Sequence, residues 1–330
     1  MIVKRFDNGW GPEYPVKKFE IEILKPFMFH LESLPEKVAI INSTWYTNDY
    51  HQTTLEYLRK NSVDIVVLIA MIDPAIPKPE WFAELGCKII CVGYYPGEYY
   101  IDFWALFMGK YFDSPHLTDL VRVDEISVGF LCLNRKPHWH RRKLYDQLCE
   151  LNLLDQGLVS MGSETGPPIR TVDNGIAVPE LTPNSDVQQY GISNDIVSLG
   201  ELTNWKKYFL NVITETVYGI NTNHFVSEKI FKPILGLRPF LVFDPDGATA
   251  WLGARGFENY TKDFTDITDL DLSDPECIAP FLQTLCQQSP LYWQKKLIDL
   301  NPKIMYNKQQ FYKYVDDQSL KITKGILCPI

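Results

Sequence analysis

Asn221 to Gly247, NTNHFVSEKIFKPILGLRPFLVFDPDG, is the stretch from which the fold is read. It reads as loop, helix, tight turn, buried strand and loop. Asn221-Thr-Asn supplies a helix start signal, and Phe225, Ile230, Ile234 and Leu237 recur at helical spacing. Gly236 and Pro239 bracket the end of that helix. Pro233 is expected to shorten or kink it, because proline has no amide proton for the helix ladder. Pro239-Phe-Leu-Val-Phe has the length and apolarity of a short buried strand, and Asp244-Pro-Asp-Gly closes it as a turn. Glu228, Lys229 and Lys232 fall near the N-terminus of the helix, an end that already carries free N–H groups and partial positive charge. Two lysines there suit a diphosphate, and one glutamate suits the two hydroxyls of a ribose. The spacing of Glu228 and Lys232 equally fits a solvated helix pair worth a few tenths of a kcal/mol.

Outward from this stretch, strands and helices alternate. Val38-Ala-Ile-Ile-Asn, Asp64-Ile-Val-Val-Leu-Ile-Ala and Lys88-Ile-Ile-Cys-Val-Gly read as strands. The second is nearly continuous in apolar residues, as a parallel strand covered on both faces should be. Helices are expected from about Thr53 to Lys60 and from Asp102 to Met108. In the second half the expected strands are Ile126 to Asn134, Gly157 to Gly162 and Tyr208 to Thr216. Residues 163–200, rich in Pro, Asn, Asp and Gly, read as a long loop region. The tail from Pro275 to Asp317 is helical in composition and expected to break at Pro290 and Pro302. Residues 1–35 carry no strong period, and Phe27-Met-Phe-His is read as a strand or part of an arm. A boundary near Ser114 to Asp124 gives domains 1–120 and 121–330. This alternation marks doubly wound α/β domains, whose ligands sit at the C-terminal ends of the strands.

The chain has 330 residues, 45% apolar and 22% charged, enough for two domains with full cores. A net charge of −9 argues against a surface devoted to nucleic acid or anionic membrane, while leaving room for a local basic cleft. The seven cysteines are odd in number and include no CxxC pair. That favours buried free thiols in a reducing compartment over disulfides or a zinc site. No apolar core of a signal peptide opens the sequence, and the longest apolar stretch, Ile65 to Ile72, is too short to span a bilayer.

Ser-Glu-Lys-Ile-Phe-Lys-Pro at 227–233, followed by Gly-Leu-Arg-Pro-Phe-Leu-Val at 236–242, resembles the donor-site helix and following strand of GT-B glycosyltransferases. By pattern it is most similar to the fucosyltransferase and exostosin-like groups and to soluble phage and giant-virus enzymes like them. Leu133-Asn134-Arg135 with His140-Arg141 is a second piece of the resemblance: a strand ending in Leu-Asn, a basic loop, then His-Arg opening a helix. Thr214-Glu215, just ahead of the organising helix, is a third. The resemblance covers residues 126–265 well and the N-terminal domain by architecture only. It implies an α/β protein of two Rossmann-like domains facing across a cleft. The C-terminal domain would hold a nucleotide-diphosphate sugar and the N-terminal domain would present an acceptor hydroxyl, with C-terminal helices returning to the hinge. Lacking the membrane anchor usual in eukaryotic exostosin-like enzymes, the chain is expected to be a cytoplasmic enzyme.

The expected donor set is Asn134, Arg135, His140, Arg141, Glu215, Ser227, Glu228, Lys229 and Lys232. Arg135 and Arg141 offer bidentate donors to phosphate oxygens, and His140 a donor to the leaving diphosphate. Glu215 either holds sugar hydroxyls or an active-site arginine, or is a structural carboxylate paired with Lys229 or Arg238. Arg238 itself is read as a cap on the helix C-terminus. An inverting transfer needs a base for the acceptor hydroxyl. Asp73 is the first candidate because it ends a buried strand where Pro74 turns the chain; Asp49 and Glu98 follow. Turn-forming Asp before Pro is the competing role for Asp73. Asp244-Pro-Asp246 and Asp269-Leu-Asp271 spell the metal-linked triplet of the other large glycosyltransferase fold but read as turns. No metal and no cofactor beyond the sugar nucleotide is therefore expected, with cationic side chains stabilising the leaving diphosphate. The acceptor is a glycan or a hydroxymethylated base in phage DNA. The rival reading is a non-catalytic nucleotide- or nucleic-acid-binding protein, in which the basic aromatic run from Lys136 to Lys143 contacts phosphates and stacks on bases.

Overall fold

The computed structural model describes residues 4–6, 38–42, 48–70, 79–93, 102–111, 122–171, 202–215, 226–244 and 248–327. They belong to two compact units, one of residues 1–110 with 314–330, the other of residues 111–313. Both are built on a four-stranded, wholly parallel sheet, so the chain is α/β.

In the first unit the strands run in the order β1 (Lys4–Phe6), β2 (Val38–Asn42), β3 (Ile65–Ala70), β4 (Lys88–Gly93). The edge strand β1 was not legible in the sequence. Ile65 to Leu68 are buried, as the continuous apolar run requires. Helix α1 (Asn48–Asn61) joins β2 to β3 and starts five residues before the expected Thr53. Asn48 and Asp49, residue types that favour helix starts, occupy its first turn. Helix α2 (Phe103–Tyr111) is capped by Asp102, whose Oδ1 accepts from the Ala105 amide at 3.0 Å.

The second unit contains β5 (Val128–Asn134), α3 (Trp139–Glu150), β6 (Leu158–Met161), α4 (Leu202–Lys207), β7 (Tyr208–Ile213), α5 (Glu228–Leu235), β8 (Phe240–Val242), α6 (Ala248–Ala254), α7 (Ile278–Cys286) and α8 (Pro290–Leu327). Its sheet order is β6-β5-β7-β8. The chain steps from β5 to one side and then returns to the other, so the switch point lies between β5 and β7. Right-handed crossovers then put α3 and α5 on opposite faces. Every residue of β7 is buried, and Phe130, Leu131 and Cys132 fill the middle of β5.

Pro233 does not break α5, which runs through it to Leu235. The helix ends in a Schellman turn: the Arg238 amide donates to Pro233 O (2.9 Å) and that of Leu237 to Ile234 O (3.4 Å). The left-handed residue is Leu237, at φ 56°, rather than Gly236. Gly236 is required for closeness instead, since a Cβ there would lie 2.2 Å from the Trp205 ring. The Trp205 indole donates to Gly236 O at 2.8 Å.

Pro302 does not interrupt α8 either; Pro290 opens that helix and a single helix continues to Leu327. Its buried positions, Trp293, Leu297, Leu300, Ile304, Asn307, Phe311, Tyr314 and Gln318, alternate in steps of four and three. Pro302 falls on the exposed side of the helix, away from the buried seam. Beyond Lys313 the helix belongs to the first unit, where Gln318 accepts from the Asp102 amide (3.0 Å) and Tyr314 donates to its carboxylate (3.2 Å). No helix among the described residues is long and apolar enough to cross a membrane. Among the cysteines whose side chains are described, all free, Cys132 is buried, Cys149 is exposed and Cys87, Cys277 and Cys286 lie between, which corrects the expectation that the thiols are generally buried.

Candidate functional site

The polar residues expected around the donor gather at the C-terminal ends of β5 and β7, on either side of the switch point. Three strand ends are latched there. The Ser160 hydroxyl on β6 accepts from the Asn134 amide (3.1 Å), and the Thr214 hydroxyl donates to Asn134 Oδ1 (2.5 Å). Gly162, just past β6, donates its amide to Asn134 O at 2.8 Å. A Cβ on Gly162 would lie 1.7 Å from Arg135 O, so glycine is what lets the loops after β5 and β6 close on one another.

Glu215 ties together the N-termini of two helices. Its backbone oxygen accepts from His140 Nε2 (2.8 Å) and from an Arg141 guanidinium nitrogen (2.9 Å), both on the first turn of α3. Arg141 also donates to Thr214 O (3.2 Å) and Lys136 O (3.3 Å). The Glu215 carboxylate accepts from the Ser227 amide (3.0 Å) and hydroxyl (2.5 Å) at the start of α5. Ser227 is the N-cap, accepting from the Lys229 amide at 3.3 Å. Lys229 Nζ donates to Ser227 Oγ (3.0 Å) and Glu228 Oε1 (2.9 Å) and lies 4.0 Å from Glu215 Oε2. The Ser227 hydroxyl thus donates once and accepts twice, which uses its full capacity.

These contacts set the electrostatics. Burial pushes the Glu215 carboxyl up, against the pull of Lys229 and the Ser227 bonds. Burial also opposes the Glu228 charge, but Lys229 and Lys232 outweigh it and hold that carboxyl below its usual range. Burial pushes His140 down to about 4. It is therefore neutral near pH 7, and its bond to a carbonyl oxygen places the proton on Nε2. His138, its ring stacked on His140 at 6.0 Å, is pushed down by burial and then by Arg141, Lys136 and Lys229, with Glu164 opposing them. Those three cations share one neighbourhood, into which two helix N-termini also point.

The geometry divides the expected donor set. Asn134, His140, Arg141, Glu215 and Ser227 are buried and engaged with one another or with the backbone. Arg135 and Lys136 are exposed on the loop after β5 and Lys229 and Lys232 are partly exposed on α5, while Glu228 is buried, with both of those lysines acting on its charge. Glu228 pairs with Lys229 rather than standing only as a helix pair with Lys232. Of the roles open to Glu215, its carboxylate has the contact with Lys229 and its backbone oxygen holds Arg141. The Arg238 side chain is buried beside the turn that ends α5. Its guanidinium donates to the carbonyls of Tyr208 (3.0 Å), Leu237 (3.0 Å) and Trp205 (3.3 Å), and burial lowers it to about 10. The helix end is closed by the Arg238 backbone amide. Asp49 lies in the first turn of α1 rather than in a loop. Asp73 and Glu98, like Asp246, lie outside the described residues. Asp271 is a turn residue, accepting from the Ser273 amide and hydroxyl, and no group of three metal-ligating side chains occurs among the described residues.

The sequence reading missed Ser160, Gly162 and the Thr214 hydroxyl as parts of the latch. A serine inside an otherwise apolar strand, followed at once by glycine, was the available signal. A scan against protein-family models, a search of the curated proteins and a search of solved structures each found no match.

Proposed function

We propose that the chain is a glycosyltransferase that moves a sugar from a nucleotide-diphosphate sugar to an acceptor hydroxyl, with the diphosphate at the switch point of the second unit. One observation carries the reading: residues from four separate segments, at 134–141, 160–162, 214–215 and 227–232, converge at the C-terminal ends of β5 and β7. That is where an open parallel sheet takes its ligand. The two parallel-sheet units are then the two Rossmann-like domains of a GT-B enzyme, the first supplying the acceptor side and the base, for which Asp73, Asp49 and Glu98 remain the candidates.

In this reading the buried set is a platform. His140 and Arg141 fix the peptide of Glu215, and Glu215 fixes Ser227 and the start of α5. Arg135, Lys136, Lys229 and Lys232 provide the positive charge for a departing diphosphate, in a site whose dipoles are already oriented. Glu228 accepts from the ribose hydroxyls. The basic run 136–143 favours this over a nucleic-acid surface. Arg141 is buried, Arg142 pairs with Asp146 (2.9 Å) and Lys143 with Glu276, so three of its cations are already engaged within the unit. The test is incubation with a panel of UDP-, GDP- and dTDP-sugars, followed by mass spectrometry for nucleotide release and transfer. Nucleotide release from one donor family supports the reading; no turnover of any donor, with or without glycan and hydroxymethylated-DNA acceptors, overturns it.

A further inference from the structure

Lys229 is shared between two buried carboxylates. Its Nζ donates to Glu228 Oε1 (2.9 Å) and to Ser227 Oγ (3.0 Å), and lies 4.0 Å from Glu215 Oε2. Glu215 is 1% exposed and Glu228 8%, whereas the Lys229 side chain is 28% exposed. The lysine is therefore the member of this group that an arriving anion reaches from solvent. Among the described residues, the other charged and titratable groups here are Lys232 on α5 and His140 and Arg141 on α3. Lys232 acts on Glu228. His140 is committed to the Glu215 backbone oxygen. The Arg141 guanidinium feels the Glu215 charge but is committed to the carbonyls of Lys136, Thr214 and Glu215.

Burial opposes the Glu215 charge, and Lys229 is the cation that most offsets that cost, while Glu228 adds to it. An anion that draws Nζ toward itself leaves two buried carboxylates close to one another without the ammonium they share. Like charges in such a place do not both stay ionised. Glu228 keeps the support of Lys232, so Glu215 is the carboxylate that gives way.

We propose that a diphosphate binding at the start of α5 draws Lys229 off Ser227 and Glu215, and that its binding is coupled to the uptake of a proton by Glu215. The inference rests on the reading of this place as a diphosphate site. The proton comes from solvent, and no covalent bond of the ligand changes. Its arrival reverses one hydrogen bond. In the structure the Ser227 hydroxyl donates to Glu215 Oε2 (2.5 Å) and accepts from Lys229 Nζ. A protonated Glu215 donates to Ser227 Oγ instead. The Ser227 hydrogen then turns to the position that Nζ has left, where a phosphate oxygen accepts it. One proton thus converts Ser227 from an acceptor of the lysine into a donor to the ligand.

Calorimetric titration of the full chain with UDP, GDP and dTDP at about pH 6, in buffers of different ionisation enthalpy, counts the protons taken up. Wild type is expected to take up as many as about one proton more than Glu215→Gln, a difference from which the titration of the nucleotide itself cancels. By linkage, the ratio of wild-type to variant affinity rises by up to about tenfold for each pH unit lowered. Infrared difference spectra of wild type with inorganic pyrophosphate, which has no carbonyl, need no variant: a protonated-carboxyl C=O band is expected to appear on binding. Equal proton counts in the two proteins, or bound pyrophosphate without that band, overturn the coupling and leave the reading of the site standing. No binding of any of the three nucleotides overturns that reading and the coupling with it.

Discussion

Replacing Glu215 tests whether the two helix N-termini are held together as described. Its carboxylate is buried and accepts the Ser227 amide and hydroxyl, with Lys229 beyond. Glu215→Ala leaves a buried N–H without its acceptor and removes a charge partner from Lys229. Breaking such a set costs about 3–5 kcal/mol, reduced by the desolvation the carboxylate no longer suffers, so a loss of about 3 kcal/mol is expected. Glu215→Gln keeps one acceptor oxygen for the amide and should cost about 1 kcal/mol. The pH dependence has a definite sign. Burial raises the folded carboxyl above the ordinary glutamate value of 4.5. Between the unfolded and folded values the folded state holds a proton that the unfolded chain has released, and this stabilisation is present below the unfolded value and lost as pH rises through the folded one. Glutamine does not titrate, so the advantage of wild type over Glu215→Gln narrows from pH 4 to pH 7. Urea unfolding at both pH values measures it. A cost below about 1 kcal/mol for Glu215→Ala, or a wild-type advantage that grows with pH, would refute the linkage.

His140 is depressed by burial to about 4, so the unfolded chain binds the extra proton between that value and 6.5. Stability from this group is full above 6.5 and lost as pH falls toward 4, and His140→Gln should flatten that slope in the same urea series. Gly162→Ala forces the loops after β5 and β6 apart and is expected to cost about 1–3 kcal/mol, read as a lowered melting temperature. Glu228→Gln should weaken donor binding by about 1.5–3 kcal/mol and abolish the preference for ribo- over 2′,3′-dideoxynucleotides, by calorimetry. If lysine and arginine supply the positive charge as proposed, turnover persists in EDTA; activity restored only by Mg²⁺ or Mn²⁺ would contradict that.

Much of this architecture could be read in the sequence. Six of the eight strands among the described residues stand out because a parallel strand covered on both faces is a continuous apolar run, as at Ile65 to Ala70 and Tyr208 to Ile213. The strand β8 was visible for the same reason, bracketed by Pro239 and Asp244. Two things were hidden. Lys4–Phe6 is too short and too polar to announce an edge strand. Proline at 302 was given too much weight, because local propensity ignores the packing that holds a helix through a missing bond. At the site, residue identity was readable but role was not. Arg141 and His140 have the chemistry of phosphate ligands, and only the backbone of Glu215 beside them shows where their protons go. A side chain's partner depends on which strand lies next to its own, and the order β6-β5-β7-β8 is not written in any local stretch.

The central claim is that the switch point of the second unit binds a nucleoside diphosphate through cations presented by α5. Calorimetric titration of wild type and Lys232→Ala with UDP, GDP and dTDP tests it most directly. Lys232 is partly exposed, and its charge acts on Glu228. One of the three nucleotides is expected to bind wild type, and about tenfold more weakly to the variant, the loss of one charge-assisted contact. Equal affinity in the two proteins, or no binding of any nucleoside diphosphate to wild type, would contradict it.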